Sequence, residues 1–371
     1  MNFIDLKAQY EHLKVRIDQR IAKVLEHGQY IMGPEVQELE ERLSDYVGAK
    51  HCISCANGTD ALQLALMALG VKHDDAVIVP SFTFFASAEA VAAVGAEPVF
   101  VDIEPDTYNL SPSSLIAAIE AYRKQGRKNL KAVMSVDLFG QCANYPEIEK
   151  ICAEFDLLLI EDAAQGFGGS INGNKACSFG DIATTSFFPA KPLGCYGDGG
   201  AVFTDNDEYA ELLRSFRVHG KGTDKYDNIR IGMNSRLDTI QAAILLEKLA
   251  VFPQELNARQ EAATWYQSNI HGNYKLPALA EGRQSSWAQY TLRVTGQVER
   301  DVCLAALKDR GIPSAVYYPV PVHSSGAFLG ADVYTDLHQS EKASVSVFSV
   351  PMHPYLSEAD QEKIAGALNS L

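Results

Sequence analysis

The bulk properties of the chain indicate an acidic globular protein. Its 371 residues are enough for two domains, or for one large domain with a smaller companion, and 47 % of them are hydrophobic. The formal net charge of −15 argues against nucleic acid or an anionic membrane as the main partner. No apolar run approaches the roughly 18 residues of a membrane helix, and charges interrupt the start of the chain where a signal peptide is apolar. These features predict a cytoplasmic protein.

Short β-rich runs alternate with helical stretches over the first two-thirds of the chain. The predicted strands are 76–79, 98–101, 132–136, 157–160, 182–187 and 201–204. The predicted helices are 59–69, 86–94, 112–122, 145–155 and 207–216. Because the run 157–160 is apolar at every position, it is typical of a strand covered on both faces. The alternation predicts an α/β domain around a mostly parallel sheet, which binds ligands beyond the carboxyl ends of its strands.

The last third of the chain has a different pattern. A helical stretch over 237–270, with a break near Pro253, leads into a strand over 287–294, a helix near 298–310 and a final helix over 357–371. The piece 317–321 is predicted as an extended loop, because proline disfavours helix at the residue before it. We therefore predict a large α/β domain over 1–250, whose N-terminal segment can pack on the other domain, and a smaller α+β domain over 251–371.

Two ionisable residues closely follow predicted strands. Asp162 comes after the strand 157–160, where a carboxylate points into the ligand crevice, although such a residue also serves as a helix N-cap. Lys191 lies among aromatic residues, prolines and small residues, so partial desolvation would lower its pKa and free its amine as a nucleophile. The alternative for Lys191 is a surface lysine whose ammonium reaches solvent.

The start of the helix 59–69 is a candidate phosphate site. This segment is almost wholly apolar, so the helix is buried and its first N–H groups need an acceptor. Gly58 permits close backbone approach and Thr59 adds a hydroxyl, whereas the alternative is a buried helix capped by Asn57 or Thr59. Phe84 follows another strand and can lie against a flat ring, although aromatic residues at such junctions more often belong to the core. The carboxylate, the lysine, the phosphate cradle and the ring together match the needs of one cofactor.

Cysteine spacing does not point to a disulfide framework or a zinc site. The chain has seven cysteines, an odd number, and only Cys52 and Cys55 form a C-x-x-C pair. A zinc site would need a second pair, and the sequence contains no other C-x-x-C and no H-x-x-x-H. We interpret both residues as buried reduced thiols and predict no metal site.

Several segments resemble the DegT/StrS family of sugar aminotransferases. They are GQYIMGP at 28–34, NGT at 57–59, EDAAQ at 161–165, SFFPAK at 186–191, GDGG at 197–200, NSRLD at 234–238 and PMHP at 351–354. They span nearly the whole chain in the family's order. The resemblance implies a fold-type I transferase that depends on pyridoxal 5′-phosphate, with aminotransferase activity and a homodimer with shared active sites.

The resemblance also implies roles for the residues around the cofactor. Lys191 would bind the cofactor as a Schiff base and move the proton between the substrate carbon and the cofactor. Asp162 would keep the pyridine nitrogen protonated, which makes the ring an electron sink. Gln165 would bond the phenolic oxygen, and Phe84 would stack on the ring. The residues implied to hold the phosphate are Gly58, Thr59, Ser186 and, from the neighbouring subunit, Asn234.

Within the family the likeness is greatest to bacterial aminotransferases acting on UDP-2-acetamido-2-deoxy-3-oxo-glucuronate. It implies L-glutamate as the amino donor and a 3-amino nucleotide sugar as the product, for O-antigen and other surface polysaccharide. The residues implied to contact the nucleotide sugar are Gly28, Tyr30, Arg236, Tyr317 and Tyr318. Arg236 suits oxyanions, which it binds bidentately, and its alternative is a surface ion pair with Asp238.

Other functions stay open at this point. Ala190 and Tyr317 stand where serine and histidine can occur in the family, so 4-oxo or 3-oxo 6-deoxy dTDP- or UDP-sugars are alternative substrates. A second hypothesis is a regulator that holds the cofactor without turnover. A nicotinamide dehydrogenase is disfavoured, because no G-x-G-x-x-G follows a first strand. His219 and His353 are assigned structural or peripheral roles, since lysine already transfers the proton in this chemistry.

Overall fold

The computed structural model describes residues 1–126, 129–224, 226–296 and 299–371. The helices in these ranges are α1 (Leu6–His27), α2 (Pro34–Val47), α3 (Gly58–Ala68), α4 (Ala86–Ala93), α5 (Pro112–Lys124), α6 (Tyr145–Phe155), α7 (Asp207–Phe216), α8 (Thr239–Leu249), α9 (Phe252–Asn269), α10 (Arg300–Asp309), α11 (His338–Ser346) and α12 (Glu358–Asn369). The strands are β1 (His51–Cys55), β2 (Asp75–Pro80), β3 (Glu97–Val101), β4 (Asn129–Val136), β5 (Leu158–Asp162), β6 (Ser170–Ile171), β7 (Asn174–Lys175), β8 (Ile182–Ser186), β9 (Gly200–Thr204), β10 (Tyr274–Lys275), β11 (Arg283–Gln284), β12 (Tyr290–Val294) and β13 (Val347–Val350).

A seven-stranded sheet in the order β1-β9-β8-β5-β4-β2-β3 forms the centre of the molecule. The pairs β2–β3, β2–β4, β4–β5 and β5–β8 are parallel, whereas β9 pairs antiparallel with β8 and β1. The carboxyl ends of the parallel strands therefore meet at one edge of the sheet. The prediction of an α/β fold around a large, mostly parallel sheet is confirmed.

Helices cover both faces of this sheet. Strand β2 is buried at every position, and its side chains alternate between two hydrophobic clusters, with Ile78 in one and Val77 in the other. The first cluster includes side chains of α2, α5, α6 and α8, and the second includes side chains of α3, α4 and α7. The continuous apolar strands of the sequence are explained by this two-sided cover.

The C-terminal elements have a hydrophobic cluster of their own. It includes residues of α9, α10, α12, β12 and β13, and the small sheet β10-β12-β13 lies in the same part of the chain. The N-terminal segment contacts this part, since the Gln9 amide donates to the Glu255 carboxylate at 2.9 Å. The division of the chain into domains at residue 250 stays a prediction.

Most predicted elements are observed with small shifts at their ends. The stretch 237–270 consists of α8 and α9, and Pro253 lies in the first turn of α9, where its missing N–H costs nothing. The strand predicted over 287–294 is shorter, because Trp287 has a φ of +48° and falls outside β12. In the helix predicted near 298–310, Val298 lies outside the described residues and α10 begins at Arg300.

Helices α1, α2 and α11 and strands β1, β6, β7, β10, β11 and β13 were not predicted from the sequence. Strand β1 is the edge strand of the seven-stranded sheet and pairs with β9, with Ser54 opposite Ala201. Within the described ranges, no helix has both the length and the apolar character required to cross a membrane.

Candidate active site

Asp162 ends β5 at the carboxyl edge of the sheet and is buried. Its Oδ2 accepts a hydrogen bond from the Ser87 hydroxyl at 2.9 Å, and its Oδ1 accepts one from the Ala164 N–H at 3.2 Å. Burial raises the pKa of this carboxyl, while the two hydrogen bonds and the charge of Lys191 act in the opposite direction. The residues after Asp162 form a turn rather than a helix, so its role is not that of a helix N-cap.

Lys191 lies on the loop that follows β8, and its side chain is half-buried. Its backbone N–H donates to the Phe188 carbonyl at 2.8 Å, which closes a tight turn. Burial lowers the pKa of the Lys191 amine, and the nearby charge of Asp162 opposes this shift. The two ionisable groups that the sequence placed after neighbouring strands therefore interact across the edge of the sheet.

The Gln165 amide has a fixed orientation near Asp162. Its oxygen accepts from the Phe139 N–H at 2.8 Å, and its nitrogen donates to the Tyr318 hydroxyl at 3.2 Å. The Tyr318 ring lies with its centroid 6.0 Å from that of Phe84. Phe84 is 54 % exposed and so does not belong to the core. The structure thus brings Asp162, Gln165, Phe84 and Tyr318 to one place.

The start of α3 and the end of β8 meet in a closely packed corner. Asn57 caps α3, since its side-chain oxygen accepts from the Asp60 N–H at 2.8 Å. A Cβ at Gly58 would lie 2.7 Å from the Cβ of Ser186, which is closer than packed carbons allow. Thr59 occupies the first turn of the helix beside this corner. The same segment can therefore be a capped helix and a candidate phosphate site.

Residues Tyr30, Asn234 and Arg236 form a second group. The Thr239 N–H donates to the Tyr30 carbonyl at 2.9 Å, one residue beyond a bridge between Ile31 and Asp238. The Arg236 guanidinium donates to the side-chain oxygen of Asn234. Over the residues that the structure describes, no ion pair joins Arg236 to Asp238, and no hydrogen bond joins this group to the group around Asp162.

The remaining predicted substrate residues flank these two groups. Gly28 ends α1 with a φ of +70°, and Tyr30 is 49 % exposed shortly after it. Tyr317 packs against Phe3, with ring centroids 6.2 Å apart, and contacts Tyr318 edge-on. The extended loop predicted over 317–321 thus places Tyr318 beside Gln165 and Phe84.

Three contributors to the site were not found from the sequence. They are the Ser87 hydroxyl, the Phe139 N–H and Lys248, whose ammonium donates to the Gly194 carbonyl at 2.6 Å in the loop after Lys191. Ser87 carried a usable signal, because it follows Phe84 by three residues at the start of a helix beyond a strand. The other two depend on contacts between distant segments.

His353 lines a small cavity together with Lys191, and the Cys55 thiol donates to the Asn57 carbonyl at 3.3 Å. All seven cysteines are free and buried, and burial raises the pKa of Cys52 well above its usual range and that of Cys55 to about 12. Burial lowers the pKa of His353. Among the described residues, no cluster of three or more His, Cys, Asp or Glu side chains is arranged to hold a metal ion.

Known proteins resemble this chain over its full length. A family model described as the DegT/DnrJ/EryC1/StrS aminotransferase family matches residues 11–369. The chain is 49 % identical over 371 residues to the UDP-2-acetamido-2-deoxy-3-oxo-D-glucuronate aminotransferase of Pseudomonas aeruginosa, with 100 % of each chain covered. Its structure matches that of a DegT DnrJ EryC1 StrS aminotransferase from Brucella abortus with a TM-score of 0.97 and 51 % identity, covering 100 % of this chain and 99 % of that one. A Bacillus subtilis protein with bound cofactor PMP matches with a TM-score of 0.90 and 29 % identity, covering 99 % of this chain and 84 % of that one.

Proposed function

Because the chain belongs to the DegT/DnrJ/EryC1/StrS aminotransferase family, we propose that it transfers an amino group from L-glutamate to a 3-oxo nucleotide sugar, with pyridoxal 5′-phosphate as cofactor. The acceptor we propose is UDP-2-acetamido-2-deoxy-3-oxo-glucuronate, and the product is a 3-amino sugar for O-antigen and other surface polysaccharide. The observation that carries this choice is the identity of 49 % to the Pseudomonas aeruginosa enzyme over the whole of both chains.

The residues at the edge of the sheet fit pyridoxal 5′-phosphate. The corner between Gly58 and Ser186 has no space for a side chain at position 58, and the first N–H groups of α3 open into it. Asp162 presents a buried carboxylate for a protonated pyridine nitrogen, and Phe84 presents an exposed ring for stacking. When bound, the cofactor supplies an electron sink that stabilises negative charge on the substrate carbon.

The roles of the chain's own residues follow from their surroundings. Desolvation of Lys191 increases the neutral fraction of its amine, which is the form that attacks a carbonyl and accepts a proton. Asp162 holds a proton at the ring nitrogen through a charge-assisted hydrogen bond. Gln165 is held by the Phe139 N–H, and its amide nitrogen, which donates to the Tyr318 hydroxyl, would have a second N–H for the phenolic oxygen of the cofactor.

We assign the nucleotide sugar to the residues that flank this centre. Arg236 presents a planar guanidinium for the diphosphate or carboxylate of the substrate, and we propose that Gly28, Tyr30, Tyr317 and Tyr318 contact the rest of the nucleotide sugar. By the resemblance, Ala190 and Tyr317 stand where serine and histidine can occur in the family. They are therefore the positions at which we expect the choice between 3-oxo and 4-oxo sugars to be set.

A homodimer accounts for the exposed apolar residues beyond the site. The segment 218–232 carries Tyr226 at 84 %, Ile229 at 55 % and Ile231 at 89 % exposure, and a surface of this kind marks a protein interface. Val218 in this segment pairs with Asn234. We propose that a second copy covers this segment and that Asn234 reaches the partner's phosphate corner.

The test uses purified protein loaded with pyridoxal 5′-phosphate. L-glutamate alone is expected to release 2-oxoglutarate in a half-reaction, and its absence would reject glutamate as the donor. The glutamate-treated protein is then mixed with UDP-3-oxo and dTDP-4-oxo sugars, and mass spectrometry identifies the aminated product. Amination of only a dTDP-4-oxo sugar would overturn the proposed substrate. Cofactor binding without turnover of any donor or sugar would favour the regulator.

A further inference from the structure

A chain of two buried hydroxyl groups ends on the Asp162 carboxylate. The Ser87 hydroxyl lies 2.9 Å from Oδ2 of Asp162, and the Thr83 hydroxyl lies 3.1 Å from the Ser87 hydroxyl. We propose that Ser87 is a positioning residue that holds Asp162 as an anion directed at the ring nitrogen of the cofactor. The inference rests on the proposed function, in which Asp162 pairs with that nitrogen.

The direction of the hydrogen bonds follows from proton counting. An ionised carboxylate only accepts, so the single hydroxyl proton of Ser87 is donated to Asp162. The Ser87 oxygen is then left as an acceptor, and Thr83 donates to it. Ser87 and Thr83 are 1 % and 2 % exposed, so bulk water does not replace either partner. Both hydroxyl groups are therefore oriented by the protein alone.

The same turn supplies the ring and the hydroxyl. Strand β2 ends at Pro80, and the chain passes through Phe84 into α4, where the Ser87 N–H donates to the Phe84 carbonyl at 3.2 Å. The side chain of Phe84 is exposed toward the site, and that of Ser87 points to Asp162. Because one short turn fixes both, the plane of a stacked ring and the carboxylate at its edge are set relative to each other.

The electrostatic surroundings explain why this donor matters. The titratable groups that interact with Asp162 are the Lys191 ammonium, the Asp137 carboxyl and the Tyr318 hydroxyl. The groups that donate hydrogen bonds to it are the Ala164 N–H and the Ser87 hydroxyl. Burial raises the pKa of Asp162, and the Ser87 bond opposes that shift. Without this bond the carboxylate is a stronger base. It then draws the proton away from the ring nitrogen, which weakens the electron sink.

Ser87→Ala is the direct test, and Ser135→Ala is its matched control. Ser135 is a buried residue of β4 opposite Glu161, and its hydroxyl has no hydrogen-bond partner in the part of the chain that the structure describes. The holoenzyme is assayed by the rate of the L-glutamate half-reaction and by pH titration of the visible absorbance of the lysine-bound cofactor. Ser87→Ala is expected to slow the half-reaction by about 10- to 100-fold, as for loss of a bond to a charged group. Ser135→Ala should leave both readouts at wild-type values.

The titration separates positioning from simple structural support. A positively charged ring nitrogen disfavours a second positive charge on the nitrogen that joins Lys191 to the cofactor. Loss of the charge on the ring nitrogen therefore raises the pKa of the nitrogen that joins Lys191 to the cofactor. The absorbance midpoint of Ser87→Ala is expected to move to higher pH. Ser87→Thr keeps the hydroxyl and should restore the midpoint. Thr83→Val should shift the absorbance midpoint to higher pH by a smaller amount than Ser87→Ala. If Ser87→Ala does not fold, Thr83→Val is used in its place to test the inference.

Two results would contradict the inference in distinguishable ways. A wild-type midpoint and rate in Ser87→Ala, with only a lower melting temperature, would reduce Ser87 to a packing role. Absence of visible absorbance in the wild-type protein with pyridoxal 5′-phosphate would instead reject the proposed function itself. The wild-type spectrum is therefore measured before any variant is made.

Discussion

Burial moves Lys191 and Asp162 toward their neutral forms, and their mutual attraction opposes both shifts. Desolvation lowers the pKa of the amine and raises that of the carboxyl, while each charge stabilises the other. The Ser87 and Ala164 donors act only on the carboxylate. These donors favour the anionic form of Asp162, whereas burial favours the neutral form of the Lys191 amine, which is the form that acts as a nucleophile.

Replacement of Lys191 tests the chemistry at its centre. Lys191→Ala removes the amine that we propose to bind the cofactor and transfer the proton, so the visible absorbance of the lysine-bound cofactor should disappear. We expect the glutamate half-reaction to slow by about 10²- to 10⁴-fold, the usual contribution of a positioned acid–base group. Absorbance spectra and single-turnover kinetics measure both effects. Lys308→Ala, an exposed lysine on α10, is the control, and retained absorbance in Lys191→Ala would refute the assignment.

The phosphate corner is tested at Gly58. A methyl group there would lie 2.7 Å from the Ser186 Cβ, so Gly58→Ala pushes α3 and β8 apart where the phosphate is proposed to bind. Loss of one charge-assisted contact should weaken cofactor affinity by about 10- to 100-fold. Equilibrium dialysis measures the dissociation constant. Gly366→Ala in α12, where the added Cβ meets nothing within 4 Å, should keep wild-type affinity; equal affinity in both variants would argue against this corner.

At the scale of elements, helix α8 supports the loop that carries Lys191. A Cβ at Gly194 would lie 2.5 Å from the Pro189 carbonyl, so the two ends of this loop touch. The Lys248 ammonium donates to the Gly194 carbonyl at 2.6 Å, and Gln241 accepts from the Tyr196 N–H at 2.9 Å. The position of Lys191 is thus set by residues about fifty positions further along the chain.

The buried ammonium of Lys248 gives this support a pH dependence. Desolvation lowers its pKa from 10.5 to about 8, so between these values the unfolded state binds more protons than the folded state. The contribution of Lys248 to the free energy of unfolding should therefore rise by about 3 kcal/mol as the pH increases from about 8 to 10.5. Urea denaturation at a series of pH values measures this contribution as the difference between the wild type and Lys248→Met, which cancels the titration of the buried cysteines. Lys308→Met should follow the wild type, and parallel curves for Lys248→Met and wild type would contradict the prediction.

At the scale of the whole molecule, the fold-type I α/β architecture is confirmed by the seven-stranded sheet and by the match to the Brucella abortus aminotransferase. Among the described residues, no hydrogen bond joins the group around Asp162 to the group containing Asn234 and Arg236 of the same chain. A shared dimer site would join them. We also propose that residues 1–250 and 251–371 are the two domains, with α9 leading from one to the other.

Mixed dimers test the shared site. Asn234→Ala and Lys191→Ala are each expected to be nearly inactive alone. If Asn234 serves the partner's site, a dimer of the two variants has one complete site, and mixing them should restore about one quarter of the wild-type activity. Activity after co-refolding measures this, with each variant refolded alone as control. No restoration would mean that Asn234 acts within its own subunit.

The amino-acid sequence by itself determined six of the seven strands of the central sheet, most of its helices and the residues placed after its strands. Continuous apolar strands and capped helices are local patterns, and parallel strands end at one edge, so Asp162 and Lys191 had to approach each other. Only the tertiary structure decided that Ser87 bonds Asp162, that Phe139 orients Gln165 and that Lys248 holds the loop after Lys191. These are single hydrogen bonds between segments that are distant along the chain or on different strands. Their existence depends on packing distances to within a few tenths of an ångström, which no local pattern of residues specifies.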